Sequence, residues 1–144
     1  MLVSGVLAHK GSTVVTVAPG ATVSDAVSLL RQHRIGALVV SEDGRRAQGI
    51  LSERDVVAGI ADEGPALLGR RVGDVMTPNP ICCHLDDTIE QLMGVMTHRR
   101  VRHLPVERDG QLIGLVSIGD VVLQRVQELE SEKQVLHDYI SQGR

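Results

Sequence analysis

Short apolar runs and amphipathic stretches alternate along this chain, and the same order of elements occurs twice. After a lead-in over residues 1–11, Val14 to Val17 predicts a short strand and Pro19-Gly20 a turn. Thr22 reads as an N-cap with Asp25 three residues on. Val23, Ala26, Val27, Leu29 and Leu30 follow at helical spacing, giving a helix of about three turns that ends near Arg34. Ala37 to Val40 predicts a strand, Glu42-Asp43-Gly44 a tight polar turn, and Gln48 to Leu51 the returning strand. Ser52 then caps a second helix, Glu53 to about Ala61. Residues 62–70, with Gly64-Pro65 and Gly69, read as a connector.

The order then restarts. Val72 to Thr77 is a second lead-in, Pro78-Asn79-Pro80 breaks the chain, and Ile81-Cys82-Cys83 predicts a strand. Thr88 caps a helix through Leu92, Met93, Val95 and Met96. Leu104 to Val106 and Leu112 to Val116 predict two strands joined at Arg108-Asp109-Gly110. The phrase Gly49-Ile-Leu-Ser52-Glu-Arg-Asp55 returns 65 residues later as Gly114-Leu-Val-Ser117-Ile-Gly-Asp120. Thr22 and Thr88, like Gly44 and Gly110, lie 66 apart, so the second hairpin is one residue shorter. Each unit is strand–helix–strand–strand–helix. One such unit of about 55 residues is marginal alone, and two packed through their sheets would bury both apolar faces.

The fold class expected is therefore α+β, two pseudo-symmetric β-α-β-β-α repeats with a long C-terminal helix. The boundaries expected are 1–64 for repeat 1 with its lead-in, 65–71 for the connector, 72–126 for repeat 2 and 127–144 for a helical tail. In that tail Val122, Val126, Leu129, Leu136 and Ile140 share one stripe. Twenty helical residues span about 30 Å, more than one small module covers. Packing on its own module and a dimer contact are both compatible with the stripe.

Composition narrows the chemistry. The 144 residues carry a formal net charge of −3, which argues against a general polyanion binder. Tyr139 is the sole aromatic residue, so no stacking platform for single-stranded nucleic acid can be assembled. Adjacent Cys82 and Cys83 are poorly placed for a disulfide with each other. With His84 they lack the separated ligand pairs of a zinc site, and no metal site is expected. Met76, Met93 and Met96 read as core packing. No apolar run approaches membrane-spanning length and residues 1–10 resemble no targeting peptide, so a cytoplasmic protein is expected.

The doubled Gly-hydrophobic-hydrophobic-Ser-x-x-Asp phrase carries a resemblance. So do Arg34-Ile-Gly-Ala-Leu-Val-Val40, Arg100-Val-Arg-His-Leu-Pro-Val106 and Val72-Gly-Asp-Val-Met-Thr77. Together they resemble a tandem pair of cystathionine-β-synthase (CBS) domains, a Bateman module, over about residues 3–125. The likeness is greatest to stand-alone pairs, without a catalytic or transporter domain. It implies binding of an adenosine-containing ligand (AMP, ADP, ATP, NAD(H) or S-adenosylmethionine) in two clefts between the repeats. The motif Asp would hold ribose hydroxyls and the motif Ser would lie near ribose and phosphate. Carried across, one cleft joins Ser117 and Asp120 to Lys10, Gly11, Val15, Gly36 and Ala37. The other joins Ser52 and Asp55 to Met76, Thr77, Ile81, Arg102 and His103.

That assignment is chemically sensible, because a carboxylate can accept from both hydroxyls of a cis-diol. Small Gly36 and Ala37 admit a flat purine, and Arg and Lys suit phosphate. The plain alternatives are that the Ser and Asp pairs only cap helices, that His98 to His103 is a solvated basic stretch, and that Lys10 is a surface lysine. No nucleophile elbow, P-loop or metal motif is present. The barrel of inosine monophosphate dehydrogenase, which carries a similar segment, needs roughly 200 residues or more. A non-catalytic, ligand-sensing regulatory module is expected, one that dimerises and acts in energy sensing on an unidentified partner protein. Its rival is a constitutive dimeric interaction module with no nucleotide.

Overall fold

Four capping boxes set the helix starts in the computed structural model, which describes residues 1–143. Thr22 with Asp25, Ser52 with Asp55, Thr88 with Gln91 and Ser117 with Asp120 each exchange a side-chain and a backbone bond. Two orphan helix donors are satisfied at each start, which fixes where strand becomes helix. Arg34 and Arg100 close the equivalent helices in the left-handed conformation, with φ of 54° and 55°.

The elements run α1 (Val3–Lys10), β1 (Thr16–Val17), α2 (Val23–His33), β2 (Ala37–Val40), β3 (Gly49–Ser52) and α3 (Glu53–Glu63). A 3-10 segment, Gly64–Gly69, occupies the connector. Then come α4 (Val72–Val75), β4 (Thr77–Pro78), α5 (Ile89–Arg99), β5 (His103–Arg108), β6 (Gln111–Ser117) and α6 (Ile118–Gln142). The first sheet has the order β1-β2-β3-β4, with β1 parallel to β2 and the other pairs antiparallel. The second is the β5–β6 hairpin, joined by one parallel bridge from Cys83 to Val106.

Three details depart from the expected elements. Ile81–Cys83 is not a strand. In repeat 1 Val39 N donates to Val15 O and Ser41 N to Val17 O, making two rungs. Pro105 stands where Val39 does and has no N–H to give, so Cys83 alone is held, by Glu107 N and Pro105 O. The turn at Glu42-Asp43-Gly44 is not tight but part of a loop over residues 41–48. Asp43 Oδ1 organises it by accepting from Arg45 N (2.8 Å), Arg46 N (3.1 Å) and Ser41 Oγ (3.2 Å). The first lead-in is a helix, although no side chain caps it.

That helix does not pack on its own repeat. Val3, Val6 and Leu7 of α1 are buried with Cys83, Ile89, Leu92 and Val116 of the second unit. Reciprocally, Val72 of α4 is buried with Val23, Leu38 and Leu51 of the first. Backbone bonds fasten each graft: Val3 N to Asp87 O at 2.9 Å, and Val72 N to Ala21 O at 2.8 Å. The two repeats have exchanged lead-ins. Strand β2 is buried on both faces, Leu38 and Val40 toward α2 and α3. Ala37 and Val39 alternate to the other face, outside that core.

Helix α6 leaves the body of the module. Val121 and Gln124 are its buried residues, and every residue from Leu129 to Gly143 is exposed. Of the two readings of its apolar stripe, packing on its own module applies only to the first turns. No helix among the described residues is long and apolar enough to cross a membrane.

Candidate functional site

The β3–α3 junction brings Ser52 and Asp55 to the edge of a cavity of about 350 Å³. Asp55 Oδ2 accepts from Ser52 N (2.9 Å) and from Ser52 Oγ (3.1 Å). The other oxygen, Oδ1, has the Thr77 hydroxyl at 3.5 Å. One carboxylate oxygen thus builds the helix cap while the second faces Thr77. The capping reading and a ligand role use different atoms of the same side chain.

The second repeat contributes Arg100, Val101, Arg102, His103 and Leu104 to the lining of the same cavity. Of the seven residues assigned to this cleft from the resemblance, Ser52, Asp55, Thr77, Ile81, Arg102 and His103 line the cavity. Met76 does not; it packs over Gly49 and against the first core. Gly36, assigned to the other cleft, lines this one, and a Cβ there would lie 3.7 Å from the His103 ring. A purine-sized flat group therefore meets no side chain at position 36.

The electrostatics are lopsided. Arg54, Arg100 and Arg102 line the cavity against Glu53 and Asp55, and the N-terminus of α3 adds its positive dipole end. Burial, reinforced by the Lys10 charge, pushes the His103 imidazolium below its ordinary value, against the pull of Asp120 and Glu53. His103 is therefore neutral at pH 7 and offers one donor and one acceptor. Apolar Ile50, Pro80 and Ile81 complete the walls.

Arg54, Asn79 and Arg100 were not foreseen at the site. Asn79 has φ of 50° between two prolines and Arg100 is the left-handed cap of α5. The Pro-Asn-Pro run and the match of Arg34 with Arg100 are the sequence signals for both.

The second Ser–Asp pair has a different environment. Lys10 Nζ donates to Asp120 Oδ2 at 2.6 Å and to Leu115 O at 2.8 Å, and Ser117 N donates to the same Oδ2 at 2.9 Å. Burial alone would raise the Asp120 carboxyl, yet the Lys10 and Ser117 bonds outweigh it and hold it below the usual carboxylate value. Gly11 caps α1 with φ of 93° and is exposed; Val15 packs on the first core and Ala37 is buried. Burial pushes the Cys82 thiol up to about 11 and Cys83 to about 12. No cluster of metal-ligating side chains occurs among the described residues.

Known proteins share this architecture. The family profile of the CBS domain matches residues 11–62 and 72–125. A crystal structure of a CBS-domain containing protein from Agrobacterium tumefaciens superposes with a TM-score of 0.84 at 44% identity, covering 87% of this chain and 99% of that one. A CBS domain protein from Pyrobaculum aerophilum complexed with AMP gives a TM-score of 0.78 at 25% identity, covering 90% and 97%. A mitochondrial CBS domain-containing protein of Arabidopsis thaliana is 42% identical over 126 residues, 85% of this chain. The present chain spans 61% of that plant protein's length. Two matched segments, a doubled Ser-x-x-Asp junction and the shared fold make this chain a member of the CBS-domain family, with two CBS domains in tandem.

Proposed function

We propose that the chain is a non-catalytic regulatory module that binds an adenosine-containing nucleotide in the cavity between Asp55 and Arg102. The carrying observation is that cavity: a carboxylate and a glycine from the first repeat, and two arginines and a neutral imidazole from the second, line one space. Asp55 Oδ1 would accept from the ribose hydroxyls, and Arg100 and Arg102 would face phosphate through their planar forks. The volume lies within the range of small-molecule sites. Support also comes from the Pyrobaculum relative, which is complexed with AMP.

The cavity walls come from both repeats, so a bound nucleotide bears on their relative packing. It shifts that packing only as far as it prefers one arrangement, and the shift is what a partner protein would read. Exposed Val57 and Ile60 on α3, with Val126 and Leu129 on α6, support dimerisation through these helices.

Thermal unfolding against AMP, ADP, ATP, NAD, NADH and S-adenosylmethionine tests the reading. A ligand at a hundred times its Kd adds about 2.7 kcal/mol, which for a domain of this size is several degrees in Tm. The shift is expected with at least one compound and is expected to vanish in Asp55→Ala. No shift with any of them leaves the nucleotide-free interaction module as the better account.

A further inference from the structure

The two lead-ins reach their clefts differently. Met76 packs over Gly49, where a Cβ would run into its Sδ, and Leu7 packs over Gly114, where a Cβ would lie 2.8 Å from its Cδ2. Gly49 and Gly114 are equivalent in the repeat, so Leu7 and Met76 are equivalent as well. Beyond them the paths diverge. The chain leaves helix α4 before Met76, and Thr77 pairs with Ile50 as β4. After Leu7 the helix continues to Lys10, closed by Gly11 N donating to Leu7 O at 2.8 Å.

That extra turn changes what faces the aspartate. Leu115 and Asp120 are the counterparts of Ile50 and Asp55. Lys10 Nζ takes the carbonyl of the first and the carboxylate of the second, at 2.8 and 2.6 Å. In the other cleft the corresponding aspartate has, beyond its own cap residue Ser52, the neutral Thr77 hydroxyl at 3.5 Å. A cation belonging to the chain thus sits in this cleft on the motif carboxylate, at the Oδ2 that also takes Ser117 N.

We propose that Lys10 is a built-in occupant of the cleft at Asp120: the last turn of α1 keeps that cleft closed to nucleotide. The chain then takes one nucleotide, at Asp55, until the turn moves. This rests on the nucleotide reading above and adds its stoichiometry and its control. Release needs little of the fold to change. Val3, Val6 and Leu7 anchor α1 in the second core, whereas Lys10 is the final helical residue and exposed Gly11 follows it as a hinge. Unwinding that one turn frees Asp120 without undocking the helix.

Calorimetric titration with AMP is the test, using wild type, Lys10→Met, Asp120→Asn and the double variant. One AMP per chain is expected for wild type and for Asp120→Asn, two for Lys10→Met, and one again for the double variant. Two per chain in wild type, or one in Lys10→Met, overturns the proposal. Weaker AMP binding in Lys10→Met also overturns it, because Lys10 would then be a ligand contact. Titration of the Asp120 side-chain carboxyl by carbon NMR separates this proposal from the nucleotide reading. Binding of AMP by neither wild type nor Lys10→Met, with none of the other five compounds shifting Tm, defeats that reading, while the closed latch still requires the carboxyl to titrate below its ordinary value and to rise in Lys10→Met. A carboxyl unchanged by that substitution removes the latch, whatever AMP does.

Discussion

Alanine at the two motif glycines provides a graded measurement of how the lead-ins seat. Neither Gly49 nor Gly114 has a positive φ, so alanine is conformationally allowed at both. Loss of unfolded-state freedom would by itself stabilise each variant by about 0.4–1 kcal/mol. Contacts decide the net sign. At Gly49 the new Cβ runs into Met76 Sδ and meets the Thr77 carbonyl oxygen at 2.9 Å. The sulfur is on a flexible side chain, but the carbonyl belongs to β4, which is paired with β3 at that point. Overpacking of this kind costs about 1–3 kcal/mol; with two contacts this close the upper end applies, and after the gain of up to about 1 kcal/mol the net expectation is a loss of about 2 kcal/mol. At roughly 3 °C per kcal/mol for a chain of this length, Tm falls by about 6 °C. At Gly114 the nearest atoms are only the methyl ends of Leu7, at 2.8 and 2.9 Å, which can pivot. Gly114→Ala should therefore change Tm by no more than about 3 °C. Far-UV circular dichroism melts of both variants, with Met76→Ala added to the first, give the readout. Met76→Ala should restore Gly49→Ala only in part, because the carbonyl remains. Equal losses at the two glycines, or full restoration by Met76→Ala, would refute the account of the seating.

Two further outcomes follow from the site and the helices. The native pKa of His103 is depressed, so the unfolded chain binds that proton more tightly. Stability is therefore present above the ordinary value near 6.5 and is lost as pH falls through it toward the native value. His103→Gln should shrink the drop in Tm between pH 7.5 and 5.5, and an undiminished drop would exclude His103 as its source. Val57 and Val126 are 67% and 44% exposed; if α3 and α6 form the dimer contact, Val57→Glu with Val126→Glu should halve the mass seen by light scattering. An unchanged dimer would place the contact elsewhere.

What could be read from the chain alone was what local chemistry dictates. The four N-caps, the strands at Ala37, Leu104 and Leu112 and the doubling itself are written in short-range patterns of side chains. Ile81–Cys83 misleads because the pairing that would make it a strand depends on an N–H that Pro105 lacks, 24 residues away. Helix α1 has a non-capping Leu2 at its start and no acidic first turn, and is held by apolar contacts with residues 83–121. Its helicity is a tertiary effect. The family resemblance grouped residues of the Asp55 cleft that do surround one cavity, and it put Lys10 in one cleft with Asp120, 110 positions away, though as a ligand contact and not as a partner of the carboxylate. Nothing around either residue announces which partner the ammonium will choose.

The exchange of lead-ins has a consequence for the order of events during synthesis. Val3, Val6 and Leu7 are made well before their complement, for the surfaces that bury them end at Val121. At roughly 5–20 residues per second, translation separates the two by about 6–24 s. For that interval an apolar trio waits in the nascent chain without its complement. The first core closes much earlier, once Val72 has emerged. These early-made residues are thus among the last of the two repeats to be housed, and a chain stalled before the second repeat would hold them out to any passing chaperone.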